Sequence, residues 1–236
     1  MAANEPQTAY SGKYCGAGIV AAGSASRLEG IAKALALLGG EPGIVQTVKA
    51  FQDCPAIGEI VIVTRQDLLE KIADLAAPYA KVKAVVIGGA DRTQSVLCGL
   101  QALSEKVQLA AIHDGARPLI TPELIVKTVS AADFHGAAAP AIAVKDTIKN
   151  VQNHWVYGTP DRSSLRAVQT PQVFCLPDLL TALTQAIKDG AAITDDCSAL
   201  ERMGIPVYLV DGQESNLKIT TPMDLKVAQL LWEERQ

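Results

Sequence analysis

The chain has 236 residues, a formal net charge of −4, 49% hydrophobic and 19% charged residues. That length suits one α/β domain with a core large enough to need no disulfide or metal staple. The acidic balance argues against a nucleic-acid binder, which shows a basic stripe, so an anion bound here is held by local cations.

In chain order, residues 1–13 are polar, lack the apolar stretch of a signal peptide, and are expected to form a flexible extension. The run "GAGIVAA" (16–22) is small and apolar without polar alternation, as expected of a strand buried on both faces. Similar runs follow at 59–64, 83–87, 109–114, 137–144 and 205–210. Helical patterns are expected over 66–79, 92–103, 122–132, 177–190, 194–204 and 222–234. Thr121-Pro122 and Thr221-Pro222 each place an N-cap before a proline, and Gly190 and Gly204 sit where C-terminal caps fall. This alternation predicts a doubly wound, mostly parallel sheet.

One segment breaks the alternation. Residues 145–170 are polar and without helical repeat, and two short strands near 146–151 and 154–158 predict a projecting hairpin arm. An isolated hairpin is marginal in water, so the arm is expected to pack against another chain. The five cysteines form no CxxC pair and are expected to be free thiols. No apolar run reaches the ~20 residues that span a bilayer, and a cytoplasmic single domain over 1–236 is the expectation.

The stretch "IVAAGSASRLEGIAK" (19–33) runs from an apolar strand through small residues to Arg27 and Lys33. A loop almost free of side chains brings backbone N–H groups close to an anion; a plain small-residue turn reads the same way locally. It is not a dinucleotide fingerprint, since the glycines at 23 and 30 are wrongly spaced. Nor is it a P-loop, since Lys33 is followed by Ala34 rather than by a hydroxyl residue.

The loop does resemble the A-A-G-x-G-x-R-M…K signature of nucleotidyltransferases acting on sugar and alcohol phosphates. Further stretches narrow this: "GGADRTQSVLCGL" (88–100), "IHDGARP" (112–118), Asp161-Arg162, "VQTPQVF" (168–174), "AAITDDCSALE" (191–201) and "NLKITTPMDL" (216–225). In this order they resemble the 2-C-methyl-D-erythritol 4-phosphate cytidylyltransferase family, from about residue 15 to the C-terminus. The resemblance implies a Rossmann-like α/β domain with a dimerisation arm, and CTP and a small alcohol phosphate as partners. Mg²⁺ or another divalent cation is implied as cofactor, held mainly by the CTP phosphates with Asp114 as candidate ligand. No nucleic-acid or membrane partner is expected.

Site residues carried over by resemblance fall into three groups. Arg27, Lys33, Arg162 and Lys218 are the catalytic candidates, the first two stabilising charge on the α-phosphate. Ala21, Ala22, Gly23, Ser24, Gly89, Ala90, Ser95, Asp114 and Gly115 are assigned to the nucleotide, with 88–95 facing cytosine. Thr147, Arg162, Thr170, Thr194 and Lys218 are assigned to the second substrate; Thr194 also stands where the N-cap of its helix falls. Asp114 has a second reading as a structural pair with Arg117, and His113 is read as packing on the opposite strand face. Ala25 stands where the family's loop has a second glycine. Two other functions share many of these motifs: charging a pentitol phosphate such as ribitol 5-phosphate, and non-catalytic CTP binding.

Overall fold

The computed structural model describes residues 12–23, 27–28 and 31–235, with the side chains of 27, 28 and 31–33 outside the described set. Strand β1 (Cys15–Val20) is followed by two short ladders, β2–β3 (Arg27–Leu28 with Ile31–Ala32) and β4–β5 (Leu37–Leu38 with Glu41–Pro42), then helix α1 (Gly43–Asp53). Next come β6 (Ile57–Thr64), α2 (Leu69–Ala76), β7 (Val82–Ile87), α3 (Arg92–Gln101), β8 (Leu109–Asp114), α4 (Pro122–His135) and β9 (Ala137–Ala143). The arm strands β10 (Asn150–Gln152) and β11 (Trp155–Gly158) lead back through β12 (Arg166–Val168) and β13 (Gln172–Cys175). Helices α5 (Leu176–Lys188) and α6 (Asp196–Arg202), strand β14 (Tyr208–Asp211) and helix α7 (Pro222–Glu233) complete the order.

The main sheet runs β12-β9-β13-β8-β1-β6-β7, with β14 also against β9. Strands β8, β1, β6 and β7 pair in parallel, as does β14 with β9, while β13 is antiparallel to both β8 and β9. The expected mostly parallel sheet is present. Its antiparallel strands β12 and β13, and helix α1, lie in stretches from which no such element was expected.

From β1 the chain moves outward to β6 and β7, then returns through α3 to β8 on the other side of β1. Val20 and Asp114 are register partners, so two carboxyl ends lie side by side where the winding reverses. Such a reversal opens a crevice that a ligand can enter.

Helices cover both faces. One apolar layer joins α1, α2 and α4 to the sheet through Ile44, Phe51, Ile72, Leu124 and Val129. The other joins α3, α5 and α6 through Val96, Leu100, Leu183 and Leu200. Helix α3 and the segment after it lie close to the sheet at two glycines: a Cβ at Gly99 would sit 2.7 Å from Val63, and one at Gly16 2.8 Å from Leu103 and Val107, which follow the helix.

Thr121 and Thr221 cap α4 and α7 as expected, accepting from Leu124 N–H and Asp224 N–H. Gly190 and Gly204 have φ of +60° and +74°, the left-handed conformation of helix-ending glycines. The arm is shorter than expected: its first strand begins at Asn150, not 146, because Lys145–Lys149 pair with no strand. Its turn residues Asn153 and His154 both have positive φ, matching a two-residue hairpin loop. All five cysteines are free, and no helix among the described residues is long and apolar enough to cross a membrane.

Candidate active site

At the reversal point a cleft of about 650 Å³ opens between the segments that follow β1, β6, β7 and β8. The β7–α3 turn supplies one wall. A Cβ at Gly89 would lie 2.3 Å from Gln94 Cβ, and one at Gly88 2.6 Å from Ala22 Cβ, so this wall needs two glycines to fold. Asp91 caps α3 by accepting from Gln94 N–H at 2.8 Å, and Ser95 Oγ donates to the Asp91 carbonyl at 2.7 Å. Ser95 therefore presents only acceptor capacity to a ligand.

The end of β8 is held from behind by a closed relay. His113 is fully buried, its Nε2 lies 3.2 Å from the Arg117 carbonyl and its Nδ1 2.9 Å from Thr170 Oγ1. Only the tautomer protonated at Nε2 satisfies both: it donates to the carbonyl and accepts the Thr170 hydroxyl proton. Thr170 Oγ1 in turn accepts from Asp114 N–H at 3.1 Å. Burial drives the His113 pKa down to about 4, so the ring is neutral at pH 7. The expectation of a packing histidine holds, and Phe51 lies against its ring at 5.1 Å.

Asp114 is the electrostatic centre of the floor. Its Oδ2 is 2.7 Å from Lys218 Nζ, while Arg92 Nη2 lies 3.7 Å and Arg117 Nε 3.9 Å away. Burial alone would raise the Asp114 pKa, but Lys218, Arg92 and Arg117 hold it below the usual carboxylate range. Lys218 is steered there by backbone docking: Ile219 N–H donates to the Ala116 carbonyl at 2.8 Å. Arg117 Nη1 donates to the Asn216 carbonyl at 2.7 Å, and Asn216 Nδ2 to the Thr170 carbonyl at 2.9 Å.

A second buried network flanks the first. Arg92, the first residue of α3, gives both Nη groups to Asp196 at 2.9 and 2.7 Å. Gln172 accepts from Asp196 N–H and Cys197 N–H through Oε1, and its Nε2 donates to Asp195. Burial works against the Arg92 charge, but the Asp196 carboxylate outweighs it and raises the guanidinium pKa. Asp195, not Thr194, caps α6, accepting from Ser198 N–H at 3.0 Å in a capping box. The helix begins at Asp196, so its N-cap position falls on Asp195 and Thr194 lies one residue before it, which corrects the capping expectation for Thr194.

Of the residues expected at the site, Ala21, Ala22, Gly23, Gly89, Ala90, Ser95, Asp114 and Lys218 line the cleft. Gly115 does not line it, and its N–H donates to the Val20 carbonyl at 2.9 Å. Thr170 is buried behind Asp114 with its hydroxyl already engaged. Thr147, Arg162 and Thr194 are exposed and away from the cleft lining; Arg162 Nη1 donates to the Lys145 carbonyl at 2.6 Å. The backbone of Arg27 lies in β2 and that of Lys33 opens a 3₁₀ turn, but their side chains, and Ser24 and Ala25 entirely, lie outside the described residues. The cleft-lining Arg65 and Arg92, and Asp196 paired with Arg92, are functional candidates that no motif assigns a role, although Arg92 and Asp196 stand inside motifs of the resemblance.

Asp114, which lines the cleft, is a hard oxygen donor of the kind a divalent cation takes. Among the described residues no three His, Cys, Asp or Glu side chains group as a metal cage. A hard divalent ion bound by one carboxylate and a triphosphate fits such a floor.

Residues 16–234 match the family model described as 2-C-methyl-D-erythritol 4-phosphate cytidylyltransferase. The chain is 46% identical over 218 residues to the protein of that name from Symbiobacterium thermophilum, covering 92% of each chain. It is 40% identical over 222 residues to the one from Caldanaerobacter subterraneus, covering 90% of this chain and 96% of that one. The structure of 4-diphosphocytidyl-2C-methyl-D-erythritol synthase from Anaerococcus prevotii superposes with a TM-score of 0.86 at 31% identity, covering 95% of this chain and 98% of the other. A match over nearly the whole chain, on a cleft at the strand reversal, places this chain in the 2-C-methyl-D-erythritol 4-phosphate cytidylyltransferase family.

Proposed function

We propose that this chain transfers CMP from CTP to 2-C-methyl-D-erythritol 4-phosphate, releasing pyrophosphate and forming 4-diphosphocytidyl-2-C-methyl-D-erythritol for isoprenoid synthesis. The observation that carries this reading is the cleft itself, with a glycine wall on one side and the Asp114–Lys218 pair on its floor. Cytosine is read by the backbone of Gly88–Ala90 and by Ser95, whose oxygen is free to accept. Asp114 faces the ribose or the cation.

In the reaction, an oxygen of the substrate phosphate attacks the α-phosphorus of CTP, and the bond to the bridging oxygen breaks as pyrophosphate leaves. Arg27 and Lys33 stabilise the charge that builds on the α-phosphate, and Lys218 and Arg162 hold the substrate phosphate. A phosphate monoester has a second pKa near ~6, so it is largely dianionic at pH 7 and needs no general base. Mg²⁺, when bound, neutralises triphosphate charge so that two anions can approach. Thr170 serves the site from behind by fixing Asp114, while Thr147, Thr194 and Arg162 are assigned to the second substrate.

The arm belongs to this reading. Trp155 is 80% exposed, and Ile148, Val156 and Tyr157 are exposed beside it. We read the active form as a cytoplasmic homodimer whose arms clasp, bringing Thr147 and Arg162 to the partner's cleft.

The test is pyrophosphate release from CTP with methylerythritol phosphate, against ribitol 5-phosphate and against UTP, ATP and GTP. CTP with methylerythritol phosphate is expected to be fastest. UTP is expected to be at least about tenfold slower, since each mispaired polar edge costs about 1–3 kcal/mol. Equal rates with UTP contradict the base assignment, and a faster rate with ribitol 5-phosphate contradicts the substrate. CTP binding with no pyrophosphate release from any acceptor leaves a regulator.

A further inference from the structure

The Asp196 carboxylate is fully buried at the start of α6, outside the cleft lining, yet it grips a residue that does line the cleft. Arg92 Nη2 stands between two carboxylates: it is 2.7 Å from Asp196 Oδ2 and 3.7 Å from Asp114 Oδ1. It bonds to the first and only approaches the second. Asp114, meanwhile, is bonded to Lys218 at 2.7 Å on its other oxygen. The division of partners is therefore specific. One carboxylate takes the guanidinium fork and the other takes the ammonium.

The grip is fixed from two sides. Gln172 accepts from the backbone N–H of Asp196 and of Cys197, so the first turn of α6 does not slide relative to β13. Asp91 caps α3 immediately before Arg92, which fixes where the arginine leaves its helix. A planar guanidinium bound at both Nη atoms to one carboxylate has little freedom to turn toward another. Without the Asp196 charge, the guanidinium keeps its own, because arginine does not deprotonate in this range. The nearest carboxylate open to it is then Asp114.

We propose that Asp196 is a positioning residue for the nucleotide cleft: it holds Arg92 off Asp114 and so leaves the Asp114 carboxylate to Lys218 and the incoming nucleotide. The closing motif thus reaches the nucleotide through Arg92, a role separate from contact with the second substrate. This rests on the reading above in one respect, that Asp114 meets the nucleotide or its cation.

The experiment combines a structure with a binding series, using the full chain. In crystals of Asp196→Asn grown without nucleotide, an Arg92 Nη is expected within about 3.2 Å of Asp114, in hydrogen-bond range. An unmoved Arg92, or one turned to solvent, overturns the proposal whatever the nucleotide is. By calorimetry with CTP and Mg²⁺, Asp196→Asn is expected to bind about tenfold more weakly, the scale of coupling within one network. The double variant Arg92→Met/Asp196→Asn, which lacks the competing cation, is expected to regain at least half of the lost binding free energy. Asp196→Glu retains the charge and is expected to stay within about threefold of the parent, giving a second handle where the Asn variant folds poorly. A double variant no tighter than Asp196→Asn, or a Glu variant as weak, overturns the proposal, since both mark a packing or ligand-contact role. A parent chain that binds no CTP fails the functional reading instead, and the crystal distance still decides the inference.

Discussion

The end of β8 and the hairpin arm both carry residues assigned to substrates, and they are built in opposite ways. At the end of β8 each important side chain already has a polar partner: His113 has buried Thr170 and the Arg117 carbonyl, Asp114 has the half-exposed Lys218, and Arg92 has buried Asp196. In the arm, Thr147 is exposed and Arg162 holds only the backbone of Lys145. The first region is pre-organised, with its charges placed before a ligand arrives, which is the condition for stabilising a transition state rather than merely binding a ground state. The second has its apolar surface outward, with Trp155, Val156 and Tyr157 exposed. Under the proposed homodimer, the finished half would hold the nucleotide on one chain and the unfinished half would be completed by assembly.

The sharpest break of this contrast is in the finished half. Asp114→Asn removes the charge that three cations surround, and kcat/KM for CTP is expected to fall about 10²–10³-fold, the range for losing one pre-organised electrostatic group. A fall below about threefold would mean that the floor is assembled by the ligand, like the arm.

The relay behind Asp114 is next in size. With a folded pKa of about 4 against an ordinary 6.5, His113 stays neutral when folded while the unfolded chain takes up a proton. Stability is therefore complete above about pH 6.5 and falls as pH drops toward about 4, by about 3 kcal/mol for the buried ring. Denaturant midpoints measured across this window in the parent and in His113→Gln isolate the contribution as a difference. Parallel pH curves for the two would remove His113 from the relay.

The unfinished half predicts a smaller change of a different kind. Trp155→Glu with Val156→Glu is expected to yield folded monomers whose melting temperature no longer depends on protein concentration, because these side chains lie outside the chain's own core and act only in the proposed association. Activity is expected to fall about tenfold or more, while CTP affinity holds, as for loss of a central aromatic anchor in an interface. A fully active monomer in sedimentation and kinetics would show that each chain completes its own site.

What the sequence made legible follows the same division. The ends of β1 and β8 were readable because long apolar runs stop there and the next residues change character at Ala21 and Asp114. The α4 and α7 starts were readable because Thr-Pro pairs announce them. Helix α1 escaped because Pro42 precedes it without any side-chain cap, and its apolar positions at Ile44, Val45, Val48 and Phe51 follow a stretch of two-residue ladders. Strand β13 escaped because only four residues separate a polar segment from α5, too short for a periodicity signal. In the site, Asp114, Lys218 and Ser95 are legible because each stands inside a motif that carries the family resemblance, and all three line the cleft. The Arg92–Asp196 grip was missed because its partners are 104 residues apart and face each other. No spacing rule links two such positions; only the arginine of one motif and the second aspartate of another hinted at it. Thr170 was read as a ligand contact for the complementary reason: its hydroxyl is aimed at a backbone N–H that sequence does not display.

CTP is expected to lie in the cleft at the strand reversal, base toward the glycine wall and phosphates toward the small-residue loop. A crystal structure grown with CTP and Mg²⁺ measures this most directly. Density for cytosine is expected within hydrogen-bond reach of the Gly88–Ala90 backbone and Ser95, with the triphosphate running past Ala21–Gly23 toward Arg27 and Lys33. A nucleotide bound in the reverse direction, or outside the cleft that Asp114 and Lys218 floor, would contradict it.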